Sequence, residues 1–84
     1  MKNKILIKVI VPTLGSEFEM FIPVNERVSQ VKKIIIKALV DISDGEFKVT
    51  KSYSLIDPDQ GTIYDSRLII RDTNIVNVKR IILY

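Results

Sequence analysis

The chain has 84 residues, of which 46% are hydrophobic and 27% are charged, a balance typical of one small globular domain. It contains no cysteine and no histidine, which excludes thiol nucleophiles, disulfides, Ser-His-Asp triads and metal sites built on these residue types. The net charge of +3 suits transient contact with an acidic surface. We therefore expect a single domain over residues 1–84 that acts as a binding or structural module rather than as an enzyme.

Fifteen isoleucines and nine valines dominate the apolar residues and predict a strand-rich fold, because β-branched side chains pack well on a pleated surface. The apolar runs are far shorter than the roughly 18–20 residues that span a bilayer, and no signal segment is present. A cytoplasmic location is therefore expected.

The first two predicted elements form a hairpin. Residues 4–12 alternate as a strand does and end at Pro12. Ile5, Ile7 and Val9 share one face of this strand, and Lys4, Leu6, Lys8 and Ile10 share the other. A turn at Gly15 leads into a second strand, in which Phe18, Met20 and Ile22 alternate with Glu17, Glu19 and Phe21.

A change of period predicts a helix over 28–42. Its apolar stripe consists of Val28, Val31, Ile35, Leu39 and Ile42, at spacings of 3, 4, 4 and 3. Asp44-Gly45 should end the helix, with Gly45 in the left-handed position. Ile34, Ile36 and Val40 lie off the stripe and either flank the core or form a ridge for a partner.

The remaining elements are strands and turns. Alternation over 46–56 predicts a third strand, with Phe47 and Val49 opposite Lys48 and Thr50, and the segment 57–61 predicts a turn. A short element at 68–75 precedes a last strand, in which Ile81 and Leu83 alternate with Arg80, Ile82 and Tyr84.

Asp57, Asp59 and Asp65 form the densest acidic cluster. Counting from Asp57 places Thr62 sixth and Leu68 twelfth, where a calcium loop of the EF-hand type needs glycine and a carboxylate. We therefore interpret the cluster as a solvated hairpin turn and expect neither a metal nor another cofactor. The aromatic residues are not interleaved with the lysines as a nucleic-acid platform requires, so nucleic acid is not an expected partner.

The order hairpin, helix, third strand, short element and final strand resembles the ubiquitin-like β-grasp, an α+β fold with a mixed sheet and one main helix on one face. The segment IPVNERVSQVKKIII resembles the point at which ubiquitin's second strand leads into its helix. IYDSRLIIRDTNI, followed six residues later by IILY, is similar to ubiquitin's short helix and last strand, with Ile70 and Ile75 in the two apolar positions.

One branch of the fold fits more closely. FEMFIPVNERVSQVKKIIIKALVDISDGEFK and the later GTIYD resemble the YukD/EsaB ubiquitin-like proteins of type VII (WXG100, ESX-like) secretion in Gram-positive bacteria. The resemblance implies a cytoplasmic, non-enzymatic accessory protein that contacts other proteins. In place of a glycine-bearing turn before the last strand this chain has residues 76–79, in which Asn77 is a residue that tolerates a positive φ.

The β-grasp topology leaves one sheet face open. The core residues of the covered face would point toward the helix, and they are Ile5, Ile7, Val9, Met20, Ile22, Phe47, Val49, Ile81 and Leu83. On the open face it would bring Leu6, Ile82 and Tyr84 together, framed by Lys4, Lys8, Lys48 and Arg80. Ubiquitin binds partners through this face, so we predict that these seven residues contact a protein partner. A membrane-associated component of the secretion system is one such partner. The alternative is an ordinary solvated sheet.

One further function remains open at this point, and another is not expected. Some bacterial oxygenases carry small β-grasp subunits of similar length, so the chain could be a subunit of a multicomponent enzyme. A protein modifier or sulfur carrier is not expected, because the sequence ends in Ile82-Leu83-Tyr84 and not in Gly-Gly.

Overall fold

The computed structural model describes residues 3–84, so residues 1 and 2 of the predicted domain lie outside the described range. The strands are β1 (Lys4–Val11), β2 (Ser16–Pro23), β3 (Leu55–Asp57), β4 (Thr62–Ile63) and β5 (Lys79–Leu83). The helix α1 covers Val28–Ile42, and a short 3-10 helix covers Ile70–Asp72. None of the helices within residues 3–84 is both long and apolar enough to cross a membrane.

The five strands form one mixed sheet in the order β2-β1-β5-β3-β4. The hairpin strands β1 and β2 pair antiparallel along their whole length, whereas β1 and β5 run parallel in the centre of the sheet. β3 pairs antiparallel with both β5 and β4, which leaves β2 and β4 as the two edge strands. The predicted mixed sheet with one main helix is confirmed.

The core lies between α1 and one face of the sheet. The helix begins and ends where the sequence predicts, and it buries Val28, Val31, Ile35 and Leu39. These side chains belong to one cluster with the alternate residues of β1, namely Ile7, Val9 and Val11. The predicted stripe is wrong at its end, because Ile42 is 53% exposed. Off the stripe, Ile36 packs against the core as one edge of it.

The chain leaves α1 through two residues with left-handed backbone. Ser43 is the C-cap residue of the helix, and Asp44 and Gly45 follow it with φ of 53° and 86°. The Ser43 hydroxyl accepts a hydrogen bond from the N–H of Phe47 at 2.8 Å, which turns the Phe47 ring back into the core. The predicted glycine stop is confirmed, although Asp44 shares the left-handed conformation with Gly45.

The predicted third strand is wrong over most of its length. Only Leu55 and Ile56 of the range 46–56 are in β3, and the residues before them form an irregular segment. The rings of Phe47 and Tyr53 pack with centroids 5.3 Å apart, and the Tyr53 hydroxyl donates to the Lys48 carbonyl at 3.2 Å. These contacts close a loop instead of extending a strand, which leaves Val49 58% exposed rather than in the core.

In the turn before β5, Val78 and not Asn77 has a positive φ, of 69°. The Asn77 side-chain oxygen accepts the Leu6 N–H at 2.9 Å, in the position where a strand carbonyl would otherwise bond to β1. The next N–H, that of Val78, donates to the Leu6 carbonyl at 2.6 Å. Because both hydrogen bonds hold the turn against Leu6, the left-handed position falls on Val78. A positive φ is an outlier for a β-branched residue.

Replacing Val78 with glycine is expected to leave the stability nearly unchanged. The substitution recovers the cost of a left-handed conformation, about 1–2 kcal/mol for an L-residue. It loses about 0.4–1 kcal/mol through the greater unfolded-state freedom of glycine and about 1 kcal/mol through removal of the half-buried side chain. Val78→Gly should therefore change the free energy of unfolding by less than about 1 kcal/mol, measured by urea denaturation. The control is Val76→Gly in the same turn, where φ is negative and stability should fall; equal losses in both variants would contradict the strain.

Candidate functional site

The sheet face opposite α1 carries a continuous row of four isoleucines. Ile10 of β1 lies opposite Ile82 of β5, which lies opposite Ile56 of β3, which in turn lies opposite Ile63 of β4. We call these four residues the isoleucine row. Since neighbouring strands are about 4.8 Å apart, the row is roughly 14 Å long. Ile63 at its outer end is 66% exposed, and the other three are half-buried.

Tyr84 extends this row in the direction of β5. It is two residues beyond Ile82 and therefore shares its face, and it is 55% exposed. The ammonium group of Lys51 lies 4.4 Å from the centre of the Tyr84 ring, a cation–π contact. The Tyr84 N–H donates to the Ser54 carbonyl at 3.0 Å and holds the ring beside β3. Sequence reasoning missed Lys51 because it lies in the irregular segment before β3.

A charged row borders the isoleucine row. Lys8 of β1 lies between Glu19 of β2 and Arg80 of β5 on the same face. The Arg80 guanidinium also reaches Glu17, with 2.9 Å between Nε and Oε1. Lys8 makes no ion pair within residues 3–84. The apolar surface is thus bordered by charges of both signs, and Glu17 lies directly opposite Ile10 at the β2 end of the row.

The predicted cluster of Leu6, Ile82 and Tyr84 is wrong in one member. Because Ile82 pairs with Ile10, Leu6 lies four residues further along β1, about 13 Å away and beyond the charged row. The register partner of Leu6 on β2 is Phe21. Topology places β1 beside β5, but only the observed register shows which of their residues meet.

Two of the basic residues predicted to frame the cluster also lie elsewhere. Lys4 is beyond Leu6, opposite Pro23 at the start of β1. Lys48 belongs to no strand, and it lines a small surface cavity with Leu14 of the β1–β2 turn and with Tyr53. Lys8 and Arg80 are therefore the two predicted basic residues that border the isoleucine row.

The acidic cluster is not the solvated turn that the sequence predicts, because the Asp57 side chain is buried. Its carboxylate accepts hydrogen bonds from Asn74 Nδ2 at 2.7 Å, from Lys79 Nζ at 3.1 Å and from the Asp59 N–H at 2.9 Å. Lys79 also pairs with Asp59 at 2.7 Å, and the Tyr64 hydroxyl donates to Asn74 at 2.7 Å. This network joins the β3–β4 turn to the beginning of β5.

The network shifts the titration of its members. The hydrogen bond from Asn74 contributes most to lowering the pKa of Asp57 to about 2, and the Lys79 charge adds to it. Burial is the main reason that the pKa of Tyr64 rises to about 12. Asp65 lies outside the network, and its bond to Arg67 lowers its pKa to about 2. In the described part of the chain, no three His, Cys, Asp or Glu side chains come together as metal ligands.

No protein-family model and no curated protein matches this chain. Among solved structures, the ubiquitin-like domain of the type VII secretion protein ECCD1 of Mycobacterium tuberculosis is similar at a TM-score of 0.74 and 10% identity, over 95% of this chain and 96% of that one. A chain of an ESX-5 inner membrane complex aligns at 0.72 and 14%, over 98% of this chain but 21% of its own length.

A third similar structure is from a different class of protein. It is a chain of the toluene 4-monooxygenase HD complex with the inhibitor 4-bromobenzoate, which aligns at a TM-score of 0.77 and 7% identity over 96% of both chains. Identities this low carry the fold and not the function. The chain has the ubiquitin-like β-grasp fold. This conclusion follows from the strand order, the parallel central pair, the position of the helix and the similarity to these structures.

Proposed function

We propose that this protein is a non-enzymatic accessory or regulatory adaptor of a type VII secretion system that binds a partner protein through its isoleucine row. The row and Tyr84 are the observation that carries the proposal. A sheet face without a covering helix normally carries polar residues, and here four aligned strands each place an isoleucine on it.

The chemistry of the surface supports a protein partner. Its centre is apolar and carries one aromatic ring, whereas its border is charged, with Lys8 and Arg80 beside Glu17 and Glu19 on one side and Lys51 above Tyr84. Interfaces of this composition place apolar and aromatic side chains at the buried centre and charges at the rim. The partner surface should therefore be apolar at its centre, with charged side chains around it.

The type VII assignment rests on the YukD/EsaB resemblance and on the similarity to ubiquitin-like domains from proteins of such systems. One of the similar chains is part of an inner membrane complex. We propose that the partner is a membrane-associated component of the secretion system and that this protein binds it from the cytoplasmic side.

Charge substitutions in the row test this proposal. Ile63→Asp and Tyr84→Asp place a carboxylate on an exposed part of the surface, and each should reduce capture of the partner from detergent-solubilised membranes at least about tenfold. Capture is measured by quantitative mass spectrometry with the purified protein as bait.

Ile42→Asp is the matched control, since Ile42 is similarly exposed but lies on α1, on the other side of the sheet. It should capture the partner as the unsubstituted protein does. All three variants must retain the native melting temperature for the comparison to hold. Undiminished capture by both Ile63→Asp and Tyr84→Asp would refute the proposed surface.

A second candidate function is a small β-grasp subunit of a multicomponent enzyme such as an oxygenase. The similarity to a chain of the toluene 4-monooxygenase complex favours it. The identity of the captured protein separates the two functions: a metal-containing catalytic subunit supports the second, and a membrane ATPase encoded beside WXG100 proteins supports the first.

A further inference from the structure

A second apolar surface lies on the same sheet face, beyond the charged row. Leu6 is at its centre, Phe21 lies opposite Leu6 on β2, and Val78 is attached to Leu6 by its backbone N–H at 2.6 Å. Phe21 is 55% exposed and Val78 is 49% exposed. We call these three residues the Val78 patch.

Stability gives valine no advantage over glycine at position 78. With a φ of 69°, Val78 is in a conformation that glycine or asparagine adopts at much lower cost. The buried half of the side chain offsets about this cost, and the other half remains in water. Strained residues are often found at binding sites. Here the strained residue completes an exposed apolar surface.

Charge indicates what would cover this surface. Lys4 and Lys8 precede and follow Leu6 by two residues and therefore share its face of β1. Neither lysine makes an ion pair in the described part of the chain. Glu19 lies opposite Lys8, so two ammonium groups and one carboxylate border this apolar strip. The excess of positive charge is complementary to a segment in which a large apolar side chain has carboxylates on both sides.

We propose that the Val78 patch is a second docking surface, separate from the isoleucine row, and that it binds an acidic protein segment carrying a large apolar side chain. Arg80, Lys8 and Glu19 separate the two surfaces by a full row of charged side chains. One partner can therefore occupy each surface, which would allow this protein to bridge two proteins.

The probe for this proposal is an acetylated and amidated hexapeptide of sequence DELFDE. Added to protein with isotope-labelled methyl groups, it should shift the NMR signals of Leu6 and Val78 in a saturable way and leave those of Ile56 and Ile63 unchanged. The affinity should fall as salt is raised to about 0.3 M, because the ionic contacts are exposed. The peptides KRLFKR and DESGDE, which lack the charge and the apolar residues respectively, should produce no saturable shifts.

Two variants decide the outcome. Val78→Gly should bind DELFDE about fivefold more weakly, because half a valine side chain no longer contacts the ligand, although its stability is nearly unchanged. Ile63→Asp should bind the peptide as the native protein does, which separates this surface from the one under Proposed function. The proposal fails if Val78→Gly retains full affinity, if KRLFKR binds equally well, or if the shifts appear on the isoleucine row. It also fails if Leu6 and Val78 shift with protein concentration alone, because a second copy then covers the patch.

Discussion

Ile35→Ala is expected to lower the free energy of unfolding by about 2–5 kcal/mol. Ile35 has no exposed surface and lies in the middle of the apolar stripe of α1. Removing three carbon atoms there leaves a cavity between the helix and the sheet, which the stiff β-branched neighbours cannot fill. Because domains of this kind are stable by only about 5–15 kcal/mol, the substitution removes a large part of the total.

Ile34→Ala is the control for this result. It deletes the same atoms from the adjacent residue, but the Ile34 side chain is 42% exposed. The two variants are compared by urea denaturation at constant m-value, and Ile34→Ala should lose less than about 1 kcal/mol. Similar losses in both would show that the helix does not bury the face described above.

Asp57→Asn is expected to destabilise the protein although the two side chains have nearly the same shape. All three groups that contact the carboxylate are donors, namely Asn74 Nδ2, Lys79 Nζ and the Asp59 N–H. An amide at position 57 would turn its own NH₂ toward one of these donors and leave Lys79 without its buried counter-charge. The melting temperature should fall by more than in Asp59→Asn, since the Asp59 side chain is 78% exposed and, among residues 3–84, has an ion pair with Lys79 alone.

The same carboxylate makes stability depend on acid pH. The pKa of Asp57 is about 2 in the folded protein and 3.8 without the contacts of the fold. Between these two pH values the unfolded chain therefore binds more protons than the folded one. Stability is therefore fully present above about pH 4 and falls as the pH decreases toward 2. Melting temperatures over this range should show a shallower decline for Asp57→Asn, with the remainder due to the Asp65–Arg67 pair. A decline as steep as that of the native protein would contradict this assignment.

Local patterns are sufficient to predict the hairpin and the helix. The alternation in β1 and the 3-4-4 spacing in α1 are properties of consecutive residues, and both elements are found with the predicted bounds to within a residue. The segment before β3 shows the limit of this approach. Its alternation favours a strand, but contacts of Phe47 with Ser43 and with Tyr53 fold it into a loop.

The site depends on contacts between residues that are far apart in the sequence, and local sequence patterns do not show such contacts. The isoleucine row exists because residues 10, 82, 56 and 63 share one level of the sheet. A shift of the β1–β5 register by four residues would have placed Leu6 opposite Ile82. Likewise, Asp57 resembles an ordinary turn aspartate until Asn74 and Lys79, 17 and 22 residues later, converge on it.

The two edge strands determine how this molecule can associate with others. β4 has only two residues and offers almost no backbone for another strand to pair with. β2 has eight, but it alternates Glu17 and Glu19 with its apolar residues and ends in Pro23, so a second β2 aligned against it would bring carboxylates together. Growth of the sheet into fibrils by edge pairing is thus opposed at both ends, and the protein can expose two apolar surfaces and still resist aggregation.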